Sequence, residues 1–169
     1  MMPNTKKILA TTVAITSLAV AGLTTVATAK GNRLVDADSM IGVPARLTGV
    51  AGQIRGINGG GLPWNIGEAS AEVSASGKVE VEFEGLVFAA GPNVGKNTVA
   101  NMKVIVSCLN SAGAAVNVPT ALFPVTTGPA ITGGGAGEIE TMLSLPSPCL
   151  SPMVFITSPG GNWFAVDHL

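Results

Sequence analysis

Glu80, Glu82 and Glu84 stand at every second position. That spacing would put three carboxylates on one face of a β-strand, each about 7 Å from the next. Carboxylates so arranged can ligate calcium or divide the acid and base roles of glycoside hydrolysis. Glu72, on the preceding run, is placed to face them across a hairpin. Lys78 sits among them and few further acceptors converge, so a solvated outer face is the favoured reading and no metal site is expected. Asp36 and Asp38 lack the additional oxygen ligands and the central glycine of a calcium loop.

His168 is the single histidine, one residue from the end of the sequence and next to Asp167. A Ser-His-Asp triad would have to be built through this pair, and a chain end prone to fraying is a poor place to orient a base. No nucleophile, base and electrostatic partner can be named together. The expectation is a protein that is not an enzyme and carries no cofactor.

The segment from Arg55 to Trp64, RGINGGGLPW, is the most idiosyncratic stretch. Bare glycine N–H groups can cradle a phosphate, but no helix follows, no Lys-Ser/Thr pair closes the loop and Pro63 removes a donor. A wide turn with Trp64 closing one end of the fold is the better expectation. Trp163 and Phe164 follow the turn Ser158-Pro159-Gly160-Gly161-Asn162 and would alternate faces on a last strand, one in the core and one partly exposed. Trp64, Trp163 and Phe164 are therefore the candidate ligand-binding residues. Tyrosine is absent, which weakens the case for a sugar or base platform.

These groups need positioning, and the alternating runs supply strands. Ala71, Val73 and Ala75 alternate with polar residues up to Ser76-Gly77, and Val79, Val81 and Phe83 do the same beyond it, which predicts a hairpin with one apolar face. Leu86 to Phe88 would extend or bulge its second strand. Met102, Val104, Val106 and Cys108 are predicted to point inward, with Asn101, Lys103 and Ser107 outward. Ala121 to Thr127 reads as an edge strand, because Pro124 cannot donate to a ladder. Glu138 to Leu145, Met153 to Thr157 and Trp163 to Val166 complete the set, and Ala45 to Ile57 would add one or two strands. No window shows a helical period. Gly31 to Met40 reads as a loose arm.

Gly and Pro number 22 and 11, and charged residues make up 11% of the chain, a balance suited to short strands joined by tight turns. The expected fold is all-β: an antiparallel β-sandwich, immunoglobulin-like or jelly-roll, spanning residues 45–169 after an N-terminal arm over 30–44. Lys6 and Lys7, the apolar run from Ile8 to Leu23 and the triplet Ala27-Thr28-Ala29 have the form of a cleaved signal peptide over residues 1–29. The run is about sixteen residues, short of the roughly twenty that span a bilayer; an uncleaved anchor is the alternative. Cleavage would remove Lys6 and Lys7 and keep all ten Asp and Glu. The resulting acidic chain with scattered cations does not suit nucleic acid. In an oxidising compartment Cys108 and Cys149 would form one disulfide; a metal would need more ligands than the sequence brings near them.

RGINGGGLPW over 55–64, Val106-Ser107-Cys108, Pro148-Cys149 and the run from Val154 to Ala165 together resemble a group of small secreted bacterial all-β proteins of unknown function. The resemblance implies a secreted β domain with one disulfide and brings no activity with it. The expected role is a non-enzymatic binding or structural module of the cell envelope or extracellular space. Its partner would be an envelope component or another secreted protein, or a second copy joined through edge strands in the segment 114–127. A small secreted protease inhibitor, acting through the loop Pro146 to Pro152, or a hydrolase is the alternative.

Overall fold

A computed structural model describes residues 33–169; the expected signal segment over 1–29 lies outside them. The fold is all-β, with fourteen strands among the described residues, in chain order: β1 (Arg33–Ala37), β2 (Ile41–Gly42), β3 (Trp64–Asn65), β4 (Ala69–Ser74), β5 (Lys78–Phe83), β6 (Val87–Phe88), β7 (Lys96–Asn97), β8 (Asn101–Leu109), β9 (Ala115–Pro119), β10 (Phe123–Pro124), β11 (Gly128–Pro129), β12 (Gly137–Met142), β13 (Leu150–Thr157) and β14 (Trp163–Val166). Two antiparallel sheets dominate. One runs β1-β4-β5-β12; the other runs β10-β8-β13-β14-β2, with β9 also paired to β8.

The predicted hairpin is β4 and β5, in the register Ala71↔Val81 and Val73↔Val79. Its apolar residues Ala69, Ala71, Val73, Val79, Val81 and Phe83 are all buried, as strict alternation requires. Gly77 makes the turn at φ +92, and the Leu143 carbonyl lies where a Cβ would sit. A side chain there would be excluded both by backbone conformation and by space. Across the core, Met102, Val104, Val106, Val154 and Ile156 oppose these residues and are equally buried. Phe83 meets Phe123 edge-on at 6.2 Å, a preferred aromatic geometry. Cys108 and Cys149 form a disulfide that ties the loop before β13 to β8.

Several segments differ from expectation. The described part of the expected arm, from Arg33 on, belongs to the sheets: β1 pairs with β4 and β2 with β14. Leu34 and Val35 provide the reason, since both contribute apolar surface to the core. Leu86 to Phe88 does not prolong β5. The chain turns at Gly85, φ +66, and β6 pairs instead with β3, Trp64 opposite Phe88. Ala45 to Ile57 forms two 3-10 turns, Ala45–Leu47 and Gly49–Gly52, in place of strands. Ser107 is buried, as is every residue from Val104 to Cys108. The central strand β8 is thus covered on both faces, one by the opposing sheet and the other by the turn-rich segment that leads to Trp64.

Candidate functional site

The structure brings two of the three candidate aromatics together. Trp64 stacks on Phe164 with ring centroids 4.0 Å apart and leans on Phe88 at 4.1 Å. Trp163 lies apart from this stack, and its Nε1 donates to the Gly52 carbonyl at 2.7 Å. Exposure is 3% at Trp64, 0% at Trp163 and 6% at Phe164, so none offers a ring to a ligand in this conformation. The expectation that one of Trp163 and Phe164 is exposed fails at a bulge. Ile156 pairs with Ala165 and Thr157 with Trp163, with a register shift between them. Phe164 is the extra residue, and both aromatic rings are covered.

The glycine-rich segment is a cover held by hydrogen bonds. Gly49 N donates to Gly60 O and Gly59 N to Gly49 O, while Gly60 N donates to Trp163 O and Trp163 N to Asn58 O. The N–H groups of Gly59 and Gly60 are thereby taken up inside the fold and are not offered to an anion. Arg55 closes the cover. At φ 51, its Nη1 donates to Ser107 O at 2.8 Å and its Nη2 to Ser151 O at 2.6 Å. Asn117 Nδ2 donates in turn to Arg55 O at 2.9 Å. Beneath this clamp Ser107 Oγ is buried without a partner among the described residues.

Asp167 and His168 are in contact, Nδ1 to Oδ1 at 3.1 Å. The Asp167 carboxylate also accepts from Val154 N at 3.1 Å. Burial is the main cause of the rise in its pKa, partly countered by that bond and by His168. The imidazole is exposed on the chain end. Asp167 anchors the end of β14 to β13, its N donating to Val154 O as well.

The carboxylates gather on the outer face of the four-stranded sheet. Strand pairing aligns Asp36, Glu72, Glu80 and Glu140 in one row across the four-stranded sheet, and Glu82 and Glu138 in the next. Adjacent strands lie about 4.8 Å apart, so uncompensated rows would repel. Arg33 bridges Asp36 at 3.1 Å and Glu72 at 3.2 Å, and Lys78 bridges Glu80 at 2.7 Å and Glu140 at 2.9 Å. No cation pairs with Glu82 or Glu138 among the described residues. Beside them a shallow cavity of about 480 Å³ is bordered by Asp38, Glu68, Glu82 and Glu84. Nine of the chain's ten Asp and Glu therefore stand on this sheet or its rim, Asp167 being the exception. Among the described residues no group of three or more His, Cys, Asp or Glu is disposed to hold a metal ion.

Of this surface, Glu72 and the Glu80 to Glu84 series were legible as a row. Glu138 and Glu140 share the same two-residue spacing, but their place beside Glu80 and Glu82 depends on strand order. No family model matches the chain, and neither a curated protein nor a solved structure is similar enough to be matched.

Proposed function

We propose that the protein is a non-enzymatic module of the cell envelope or extracellular space, attached through its acidic sheet to a cationic envelope component. The observation that carries this reading is the sorting of side chains. The aromatics, Arg55 and Asp167 are committed to holding the fold, while the carboxylates are gathered on one outward face. A braced two-sheet frame presents such a face without rearrangement, which lowers the entropic cost of binding. Two further facts are compatible with an oxidising, extracellular location: the Cys108–Cys149 disulfide, and the absence among the described residues of any helix long and apolar enough to cross a membrane.

Co-sedimentation of the purified protein with the producing cell's isolated envelope tests this reading. The expected result is saturable pelleting at low salt that weakens at high salt and in Glu82→Gln with Glu138→Gln, because exposed ion pairs are screened. Protein that stays in the supernatant at low salt would overturn the proposal. Pelleting indifferent to both salt and the paired substitutions would move the attachment to another face.

A further inference from the structure

The six-stranded sheet ends differently at its two margins. Beyond β2 the Trp64 segment closes it: Trp64 N donates to Val43 O at 2.9 Å, and the Trp64 carbonyl occupies the place a Cβ on Gly42 would need. At the other margin β9 pairs, among the described residues, with β8 alone. Asn110 N donates to Ala114 O and Thr120 N to Val104 O, on either side of the pairs Cys108↔Val116 and Val106↔Val118. Antiparallel bonding alternates along a strand, so Val116 and Val118 direct their backbone groups at β8, while Ala115, Asn117 and Pro119 direct theirs outward. All three are exposed.

Exposed strand edges are ordinarily guarded by charge. The four-stranded sheet follows this rule, with Arg33 and Asp36 on its outer strand β1 and Glu138 and Glu140 on β12. β9 has no such guard: between Lys103 and Glu138 the chain contains no Asp, Glu, Lys, Arg or His.

We propose that β9 is a homotypic docking edge, at which a second copy of this chain adds its own β9 antiparallel about a two-fold axis at Asn117. In that register Asn117 exchanges both backbone bonds with Asn117 of the second copy, and Ala115 N–H reaches the Pro119 carbonyl of the second copy. Pro119 has no N–H, so every outward donor on the two strands is matched and the ladder stops there. The half-buried Val116 and Val118 come opposite one another across the axis, which removes apolar surface from water. The interface is isologous and closed, so it yields a dimer and not a fibre. No envelope component takes part, so the pairing stands or falls apart from the attachment proposed above.

Sedimentation equilibrium on the purified protein, as its host processes it, tests the inference over a wide concentration range. A dimer that dissociates on dilution is expected. Asn117→Asp and Asn117→Lys should each lower the association constant about fivefold or more, because like charges then meet across the axis. An equal mixture of the two should recover association as a heterodimer. Both substitutions alter the bond to Arg55 O, so Ala115→Pro is the second probe; it deletes an outward N–H, leaves Asn117 intact and should also weaken the dimer. A parent protein that is monomeric throughout overturns the inference. So does a mixture of folded Asp and Lys variants that associates no better than either alone, or, should those variants fail to fold, an Ala115→Pro protein that dimerises as the parent does.

Discussion

Trp163 donates from its indole Nε1 to the Gly52 carbonyl at 2.7 Å, across a separation of 111 positions. The bond fastens a 3-10 turn of the cover to the last strand, inside a region where Trp163 has no exposure to water. Its loss would leave Gly52 O buried and unpaired. Trp163→Phe is therefore expected to cost about 1–3 kcal/mol, and Trp163→Ala about 3–5 kcal/mol because a cavity is added. Urea denaturation with an unchanged slope checks both values; a neutral Trp163→Phe would show that the bond contributes nothing.

Alternation was readable wherever one face of a strand is wet, and misleading where it is not. β4 and β5 could be placed from Ala71, Val73, Val79 and Val81, since their outer face carries Glu72, Glu80 and Glu82. On β8 the same rule assigned Ser107 to solvent, and the cover that buries it is contributed by residues about fifty positions earlier. Nothing local to Ser107 encodes that cover. The expected exposure of one of Trp163 and Phe164 failed for a related reason: one extra residue at the β13–β14 bulge places Phe164 on Trp64, and a bulge leaves no mark in the hydrophobic period. The acidic surface was half legible, because Glu80 and Glu82 lie on one strand, whereas their neighbours Glu140 and Glu138 arrive through long-range pairing.

Arg55 holds the cover by a fork of two bonds to carbonyls on separate strands. Arg55→Ala should destabilise the protein by about 1–3 kcal/mol and accelerate amide exchange at Gly59 and Gly60, which are held by Gly49 O and Trp163 O. Arg55→Lys should recover only part of the loss, since an ammonium cannot reproduce the planar fork. Exchange rates at these amides that equal the parent's would remove the clamp from the account.

The Cys108–Cys149 disulfide closes a separation of 41 residues. In the chain-entropy model such a loop contributes about 4 kcal/mol. Denaturation with and without a reductant should reveal a loss of this order. The double substitution to Ala should match the reduced protein to within about 1 kcal/mol, its remaining deficit reflecting the sulfur atoms lost from the core.

Lys78 lies between Glu80 and Glu140, and its pKa is raised, chiefly by its hydrogen bonds to these two carboxylates. Lys78→Gln would leave the acidic row with Arg33 as its remaining cation. Thermal unfolding should show a lower midpoint than the parent at low ionic strength, with the gap closing as salt is added, because repulsion between exposed carboxylates is screened within about 10 Å at 0.1 M. A gap insensitive to salt would assign the loss to packing.

Asp167 gives the protein a pH dependence whose sign follows from its burial. Burial raises the carboxyl above its ordinary value of 3.8, and Val154 N and His168 offset this only in part. The folded state therefore holds the Asp167 proton more tightly than the unfolded chain does, and the ionised carboxylate weakens folding. That penalty is fully present above the folded-state pKa and fades as pH falls through it toward the ordinary value. Nearby Arg55, itself lowered mainly by burial and partly restored by Asp167, stays charged throughout this range. In Asp167→Asn the Oδ1 can still accept from Val154 N without carrying a charge. The variant is expected to exceed the parent in stability at neutral pH, with the advantage shrinking as pH falls through the raised folded-state pKa of Asp167 and vanishing below the ordinary value of 3.8. Paired urea titrations across that range read the difference directly. A constant offset would mean that the carboxylate is as well stabilised in the fold as in water, in which case its bond to Val154 N outweighs its burial.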